Sequence, residues 1–279
     1  MNKSEFDTTY GLFEPLHPLS IWLKLTLLLF VAIVNKSTPI QPTWAVIMVL
    51  FAALILIPIA FQELKRQQTQ FLLLSNDLIW HLPCTFFLAI SFILDRSNLA
   101  GVLAIPYATW CVDIFIRGLK LKKQKIYWAV FTCFGFLGNA SLWLVFDRFG
   151  IQPLGFSHWV VILTGVHFHF AGFTLLASLI LFLCQNPSNK FIQATILSVI
   201  VGVVLTAIGI TATQLGFGQT IETFVGVLIL GMSLATLYAL RSIIPIEILS
   251  ISFMQAFHGS LNALGFGTLI LLGWAVKKK

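Results

Sequence analysis

Long apolar runs separated by short polar connections dominate the chain. A helix that crosses the hydrocarbon layer of a bilayer needs about 20 mostly apolar residues, within a range of about 17–25. By this criterion the sequence predicts about nine spanning helices, of which the first is the shortest. Their approximate bounds are 20–34, 43–61, 78–94, 99–117, 126–146, 158–184, 191–213, 220–240 and 253–275. The predicted fold is therefore an all-α, polytopic transmembrane bundle of about eight or nine spanning helices.

Composition agrees with this pattern. The chain is 58% hydrophobic and 10% charged, with a mean hydropathy of +0.94, whereas soluble domains are about 45–50% apolar and about 25% charged. The net charge of +7 comes from short connections, as the positive-inside rule expects, so nucleic acid is not a predicted partner. We expect a multi-pass protein of the plasma (inner) membrane of a cell, with the lipid bilayer as its surroundings; the sequence leaves the oligomeric state open.

The basic residues also predict the orientation. Lys65 and Arg66 lie two predicted crossings before the cluster 117–125, so both groups fall on one side, the cytoplasmic one. Residues 1–19 then form an N-terminal cytoplasmic segment, 20–276 a single transmembrane domain, and 277–279 a basic tail. Nine crossings would place that tail outside. A re-entrant segment near 242–252 would remove the conflict and return the tail to the cytoplasm.

Two histidines lie inside the sixth predicted helix. His167 and His169 would be costly there if charged, but imidazole can remain neutral, ligate a metal or carry a proton. Residues two apart on a regular helix point about 200° apart, so the pair cannot bind one metal jointly. Either histidine alone can instead be an interhelical hydrogen-bonding group. Gly165 and Gly172 share the face of His169 and would let another helix approach closely.

The C-terminal part of the chain carries three further candidates. His258 and Asn262 are four residues apart and share one helix face, which suits ligand orientation, although nearby glycines also favour simple helix packing. Glu222 lies about one turn inside the eighth predicted helix. It is a natural proton partner for an imidazole, or a carboxylate that stabilises a helix N-terminus. The predicted depths place Glu222 with the histidines of the sixth helix in the outer half of the membrane, and the re-entrant model adds His258.

Weaker candidates fall elsewhere on the sequence. Asn139 is a lone carboxamide in the fifth predicted helix, with interhelical hydrogen bonding as the alternative role. Asp77 and His81 form an i, i+4 pair, and so do Asp113 and Arg117, which we interpret as an interfacial ion pair. We interpret Glu63 as a solvated loop charge. The sequences 95–98 and 147–150 are predicted connections. The four cysteines lack a Cys-x-x-Cys spacing and are predicted to be small buried thiols.

The strings 167–173 (HFHFAGF) and 258–266 (HGSLNALGF), with a glutamate near the start of the helix between them, resemble the YndJ-like family of bacterial membrane proteins. The resemblance covers mainly the second half of the chain, from about the fifth predicted helix onward. It implies that His167, His169, Glu222, His258 and Asn262 belong to a site. It implies no particular reaction.

Three functions fit these residues. The first is an intramembrane enzyme in which His and Glu perform acid–base chemistry on a lipophilic substrate such as an isoprenoid or another lipid. The second is a redox protein with haem or a divalent metal, bound through His167 or His169 together with His258; without an attachment motif such a haem would be non-covalent. The third is a proton-coupled transporter, which the lack of an internal repeat disfavours. We favour the enzyme.

Overall fold

The computed structural model describes residues 24–31, 43–67, 77–121, 126–216 and 269–276. These residues form helices and connecting turns, and no strand occurs among them. Residues 24–31 are helical. The helices that follow are α1 (residues 43–67), α2 (Asp77–Ile93), α3 (Asn98–Gly118), α4 (Tyr127–Phe149), α5 (His158–Gln185), α6 (Lys190–Gln214) and α7 (Leu269–Val276).

Five helices are long and apolar enough to cross a membrane: α1, α3, α4, α5 and α6. Helix α2 contributes a shorter apolar stretch, Trp80–Ile93. The predicted all-helical fold is confirmed for the described part of the chain, and the helices are compatible with membrane localisation. The described residues support five spans rather than the eight or nine predicted. The predicted helix 220–240, the re-entrant segment near 242–252 and most of 253–275 lie outside them.

Local sequence signals explain where the helices begin and end. The Ser97 hydroxyl accepts a hydrogen bond from the amide of Ala100, and Asn189 Oδ1 accepts one from the amide of Ile192. Both are N-cap interactions, which satisfy amides that have no partner within the helix. Helix α4 ends at Gly150, whose φ of 72° lies in the left-handed region that glycine adopts without strain.

Two helices contain a π-helical segment. In α1 this segment is Ala52–Leu56, and in α5 it is Phe168–Thr174. The amide of Ile57 bonds to the carbonyl of Ala52, and the next residue, Pro58, has no amide hydrogen to continue the pattern. A proline therefore adjoins the first π segment. Segments of this kind are rare and are often found at functional sites.

Helices α1 and α5 form the centre of the bundle. Their N-terminal parts contact each other, their π segments contact each other, and so do their C-terminal parts, so the two helices run parallel. In their most apolar stretches, 78% and 72% of the residues are buried, compared with 17% for α6. Helix α6 packs on α5 and is thus peripheral in the described bundle. Helices α2, α3 and α4 pack in sequence and complete the core.

A buried ion cluster closes the end of the bundle where α4 finishes. Asp147 and Arg148 are fully buried, and the Asp147 carboxylate accepts hydrogen bonds from Arg96 and Arg148, each at 3.0 Å. Arg148 also donates to the carbonyls of Ser91 and Leu94 at the end of α2. The guanidinium therefore pairs a buried carboxylate and satisfies carbonyls that α2 leaves without helical donors.

Two sequence interpretations of charged residues were wrong. Asp147 and Arg148 lie within α4 rather than in a connection, because their cluster with Arg96 satisfies them inside the bundle. Glu63 lies within α1 and is only 3% exposed, with its carboxylate paired to Arg66 at 2.6 Å. Sequence reasoning ended these two helices too early, at residues 61 and 146, and therefore placed the charges in connections.

Candidate functional site

His169 lies in the π segment of α5 and is completely buried. Its Nδ1 is 2.7 Å from the carbonyl oxygen of Gly165, and its Nε2 is 2.9 Å from the hydroxyl of Tyr107 on α3. A carbonyl oxygen only accepts hydrogen bonds, so Nδ1 carries the proton and donates. Nε2 is then the acceptor, and the Tyr107 hydroxyl donates to it. The two contacts define a single neutral tautomer of the ring.

The Tyr107–His169 pair continues into a row of four neighbouring rings, whose last contact, between Trp110 and His81, is edge-on. The rings of Tyr107 and His169 are nearly parallel, with centroids 6.0 Å apart. Trp110 lies 6.4 Å beyond Tyr107, and His81 of α2 lies 4.6 Å beyond Trp110. Of these four rings, Trp110 is the most exposed, at 5%. We call His81, Trp110, Tyr107 and His169 the aromatic–histidine row; it links α2, α3 and α5 inside the core.

His81, at one end of the row, is tied to the other π segment. Its ring lies close to the backbone of Ala53, whose carbonyl would pair with residue 58 in the π pattern. Since residue 58 is proline, that carbonyl has no donor in the π pattern. The Thr85 hydroxyl lies 3.2 Å from Nε2 of His81. The two buried histidines of the row are thus associated with the two π segments, which contact each other.

Side chains satisfy the carbonyls around the π segment of α5. The Thr174 hydroxyl donates to the carbonyl of His169, and the Ser178 hydroxyl donates to that of Thr174, each at 2.8 Å. The Cys133 thiol of α4 donates to the carbonyl of Phe173 at 3.5 Å. An irregular helix inside hydrocarbon requires such donors, because no bulk water is present to replace them.

The glycines of α5 allow α4 to approach closely, as the sequence predicted. A Cβ atom at Gly165 would lie 2.7 Å from Leu144 Cδ2, and one at Gly172 would lie 2.7 Å from Phe136 Cβ. Real Cβ atoms do not tolerate these distances. Any larger residue would push α4 away from α5, so the two glycines determine how close the two helices lie.

His167 has different surroundings from His169. It is the last residue of the regular first part of α5, is half-buried, and lies against the ring of Phe168 with centroids 5.8 Å apart. The predicted separation of the two histidines onto different faces agrees with these contacts. Only His169 belongs to the aromatic–histidine row, and whether either histidine acts in a reaction stays a prediction.

The remaining predicted site residues fall into two groups. Glu222, His258 and Asn262 lie outside the described residues, so their proximity to His169 stays a prediction. Asn139 is described: it lies on α4 and lines an open groove of about 710 Å³ between α3, α4, α5 and α6. Asp113 and Arg117 form the expected ion pair on α3.

Hydrogen bonding limits what the described histidines can ligate. Among the described residues, no group of three or more His, Cys, Asp or Glu side chains is placed to hold a metal ion. Both ring nitrogens of His169 already have protein partners. Iron or zinc would have to displace the Tyr107 hydroxyl from Nε2. The arrangement around His169 therefore favours proton exchange over metal ligation.

Sequence reasoning missed Tyr107 and Trp110, and it paired His81 only with Asp77, whose side chain lies outside the described part of the structure. A signal was present, because tyrosine in spanning helices is concentrated at the membrane interfaces. Tyr107 instead lies nine residues after Asn98, about 14 Å into the helix at 1.5 Å per residue. Cys111, four residues later and completely buried, shares that face of α3.

The fold and this site define a class of protein: an all-helical bundle with a buried tyrosine–histidine pair at a π-helical segment. The chain belongs to the YndJ-like family, because the family model with the description YndJ-like protein matches residues 47–222. The family assignment made from the histidine strings is thus confirmed. The matched region differs from the one expected, since it includes the earlier helices and ends before His258. No curated protein and no solved structure matches the chain.

Proposed function

We propose that the chain is an integral membrane enzyme that performs acid–base chemistry on a lipophilic substrate, with Tyr107 and His169 as its proton-exchanging pair. One observation carries the proposal. The Gly165 carbonyl orients the imidazole through Nδ1, and Nε2 accepts from the Tyr107 hydroxyl. An oriented base bonded to a protic group is the arrangement by which side chains are activated in known active sites.

The chemistry available to this pair is proton transfer. Neutral His169 can take the phenolic proton through Nε2 while Nδ1 remains bonded to the carbonyl, and it can return that proton afterwards. The site is almost dry because every ring of the row is nearly or completely buried. Electrostatic interactions are stronger in such surroundings than in water. Glu222, His258 and Asn262 remain proposed members of the site.

The proposed setting is a bacterial plasma membrane, with the N-terminus in the cytoplasm and eight or nine spans in the whole chain. The parallel packing of α1 and α5 supports crossings of alternating direction. Three helices lie between them in sequence, so α5 runs in the direction of α1 if each helix crosses the membrane in turn. The end of α4 with its ion cluster would then face outwards. The turn between α5 and α6 would face the cytoplasm.

The test compares membrane lipids from cells that lack the protein and carry a variant in its place. Tyr107→Phe and His169→Gln each remove one member of the pair, and Tyr127→Phe is a matched control at the start of α4. We expect the first two to give the same altered lipid profile by mass spectrometry as cells without the protein. The control should restore the normal profile.

The proposal fails if Tyr107→Phe and His169→Gln fold normally and restore the normal profile. An absorption spectrum of the purified protein tests the haem alternative independently. A Soret band that His169→Gln abolishes would replace the acid–base function with a redox one.

A further inference from the structure

The side chain of Asn139 has hydrogen-bonding groups without a partner among the described residues. Its carboxamide is half-buried on α4 and makes no hydrogen bond to any described residue. Asn139 lies ten residues before Phe149 and twelve after Tyr127, or about 15 and 18 Å from the helix ends. This position is near the middle of a hydrocarbon layer of about 30 Å. A carboxamide without a partner is costly at that depth.

Apart from Asn139 and two threonines, the described residues that line this groove are apolar or small, and none of them is charged. Phenylalanine rings from α3, α4 and α5 form one side, and small or aliphatic residues of α6 form the other. Its other polar groups are the hydroxyls of Thr132 and Thr211, and Thr132 already donates to the carbonyl of Trp128. The Thr211 hydroxyl makes no hydrogen bond to a described residue. The available polar contacts are therefore neutral and centre on Asn139.

The charge of the groove restricts its occupant. A phosphate or ammonium headgroup would find no countercharge there and would have to leave the membrane surface, which is costly. The acyl chain of an ordinary phospholipid could fill the volume, but it offers Asn139 only methylene groups. A molecule with a long apolar chain and an uncharged carbonyl or hydroxyl group fits the apolar walls and also bonds to Asn139, because a carboxamide can donate and accept.

We infer that this groove binds an uncharged lipid whose carbonyl or hydroxyl group hydrogen-bonds to Asn139. The apolar chain lies along the phenylalanines of α4 and α5 and against α6. That this molecule is the substrate rests on the proposed function, because Phe168 lines the groove and the adjacent His169 bonds to Tyr107. Binding itself does not depend on that reaction.

The experiment uses the full-length protein in lipid nanodiscs and two photoreactive probes with the same diazirine group. One probe is farnesol and the other is phosphatidylcholine. We expect farnesol to crosslink to α4 and α6 peptides that line the groove. Asn139→Leu should lower this crosslinking about 2- to 10-fold, the range expected for one neutral hydrogen bond.

A second pair of variants guards against misfolding of Asn139→Leu. Ala212→Trp places a large ring on a residue that lines the groove and should block crosslinking. Val201→Trp places the same ring on an exposed α6 residue outside the groove and should leave crosslinking unchanged. Equal farnesol crosslinking in wild type, Asn139→Leu and Ala212→Trp would overturn the inference. Labelling of the groove by phosphatidylcholine with the same dependence on Asn139 would also overturn it.

Tyr107→Phe separates this inference from the proposed function. It should bind farnesol like wild type, because Tyr107 does not line the groove, while its lipid profile changes. Crosslinking that depends on Asn139, together with an unchanged lipid profile, would refute the enzyme and leave the binding site. An altered profile without crosslinking at the groove would refute the binding site alone.

Discussion

Replacing Tyr107 with phenylalanine tests whether the Tyr107–His169 hydrogen bond holds α3 and α5 together. The change removes only the hydroxyl that donates to His169 Nε2 at 2.9 Å. Nε2 then remains as a buried acceptor, which costs about 1–3 kcal/mol in protein interiors. Interhelical hydrogen bonds measured in a membrane protein average about 0.6 and reach about 1.7 kcal/mol. Since His169 is completely buried, we expect a loss of about 1–2 kcal/mol in unfolding free energy.

A double-mutant cycle isolates the contact. Tyr107→Phe, His169→Leu and the double variant are unfolded reversibly in mixed detergent micelles, and the coupling free energy is calculated from the four proteins. We expect a coupling of about 1 kcal/mol, because the phenylalanine change should cost little once the imidazole is gone. Tyr127→Phe is the control, since its hydroxyl bonds to no described residue. A coupling below about 0.3 kcal/mol would refute the reasoning.

Three other predictions follow from the packing. Gly172→Ala should lower stability by about 1–3 kcal/mol in the same assay, since its Cβ would lie 2.7 Å from Phe136 Cβ. Gly273→Ala is the control and should leave stability unchanged, because the space around Gly273 is open. Equal effects of the two changes would contradict the close α4–α5 contact. Asp147→Asn should lower the unfolding free energy by about 3–5 kcal/mol, because it leaves buried guanidinium groups without their carboxylate. Asp113→Asn, in a half-exposed pair, is the control and should cost less than about 1 kcal/mol. A small loss at Asp147 would argue against the ion cluster. In a background without native cysteines, Leu154→Cys should react with an impermeant maleimide in intact cells and Ser188→Cys only after permeabilisation, and the reverse pattern would invert the proposed orientation.

Local pattern was sufficient to predict most of the described helices. The apolar runs at 99–117, 126–146 and 191–213 became helices within a few residues of the predicted bounds. The reason is physical: a chain segment in hydrocarbon must satisfy its own backbone, so length and apolarity alone determine that it is a helix. The same argument correctly placed the small residues of α5 at a helix contact.

Local pattern was not sufficient where a side chain depends on a distant partner. Asp147 and Arg148 were assigned to a connection because an isolated charge belongs in water, and Arg96 and the carbonyls of Ser91 and Leu94, which allow their burial, lie 51 to 57 residues away in sequence. Glu63 was assigned to a loop because α1 continues to residue 67, past its predicted end at residue 61. The π segments were also missed, since their carbonyls are satisfied by side chains that local pattern does not reveal, such as the Cys133 thiol of α4.

The sequence by itself determined that this protein is a bundle of apolar helices with two histidines inside one of them, because composition and periodicity are local properties. It also placed His167 and His169 in different surroundings through helical geometry alone. Only the tertiary structure decided that His169 pairs with Tyr107, from a helix 62 residues away in sequence. Helix packing creates that hydrogen bond, which occupies Nε2, the ring nitrogen that the Nδ1–H tautomer would otherwise leave open to another partner.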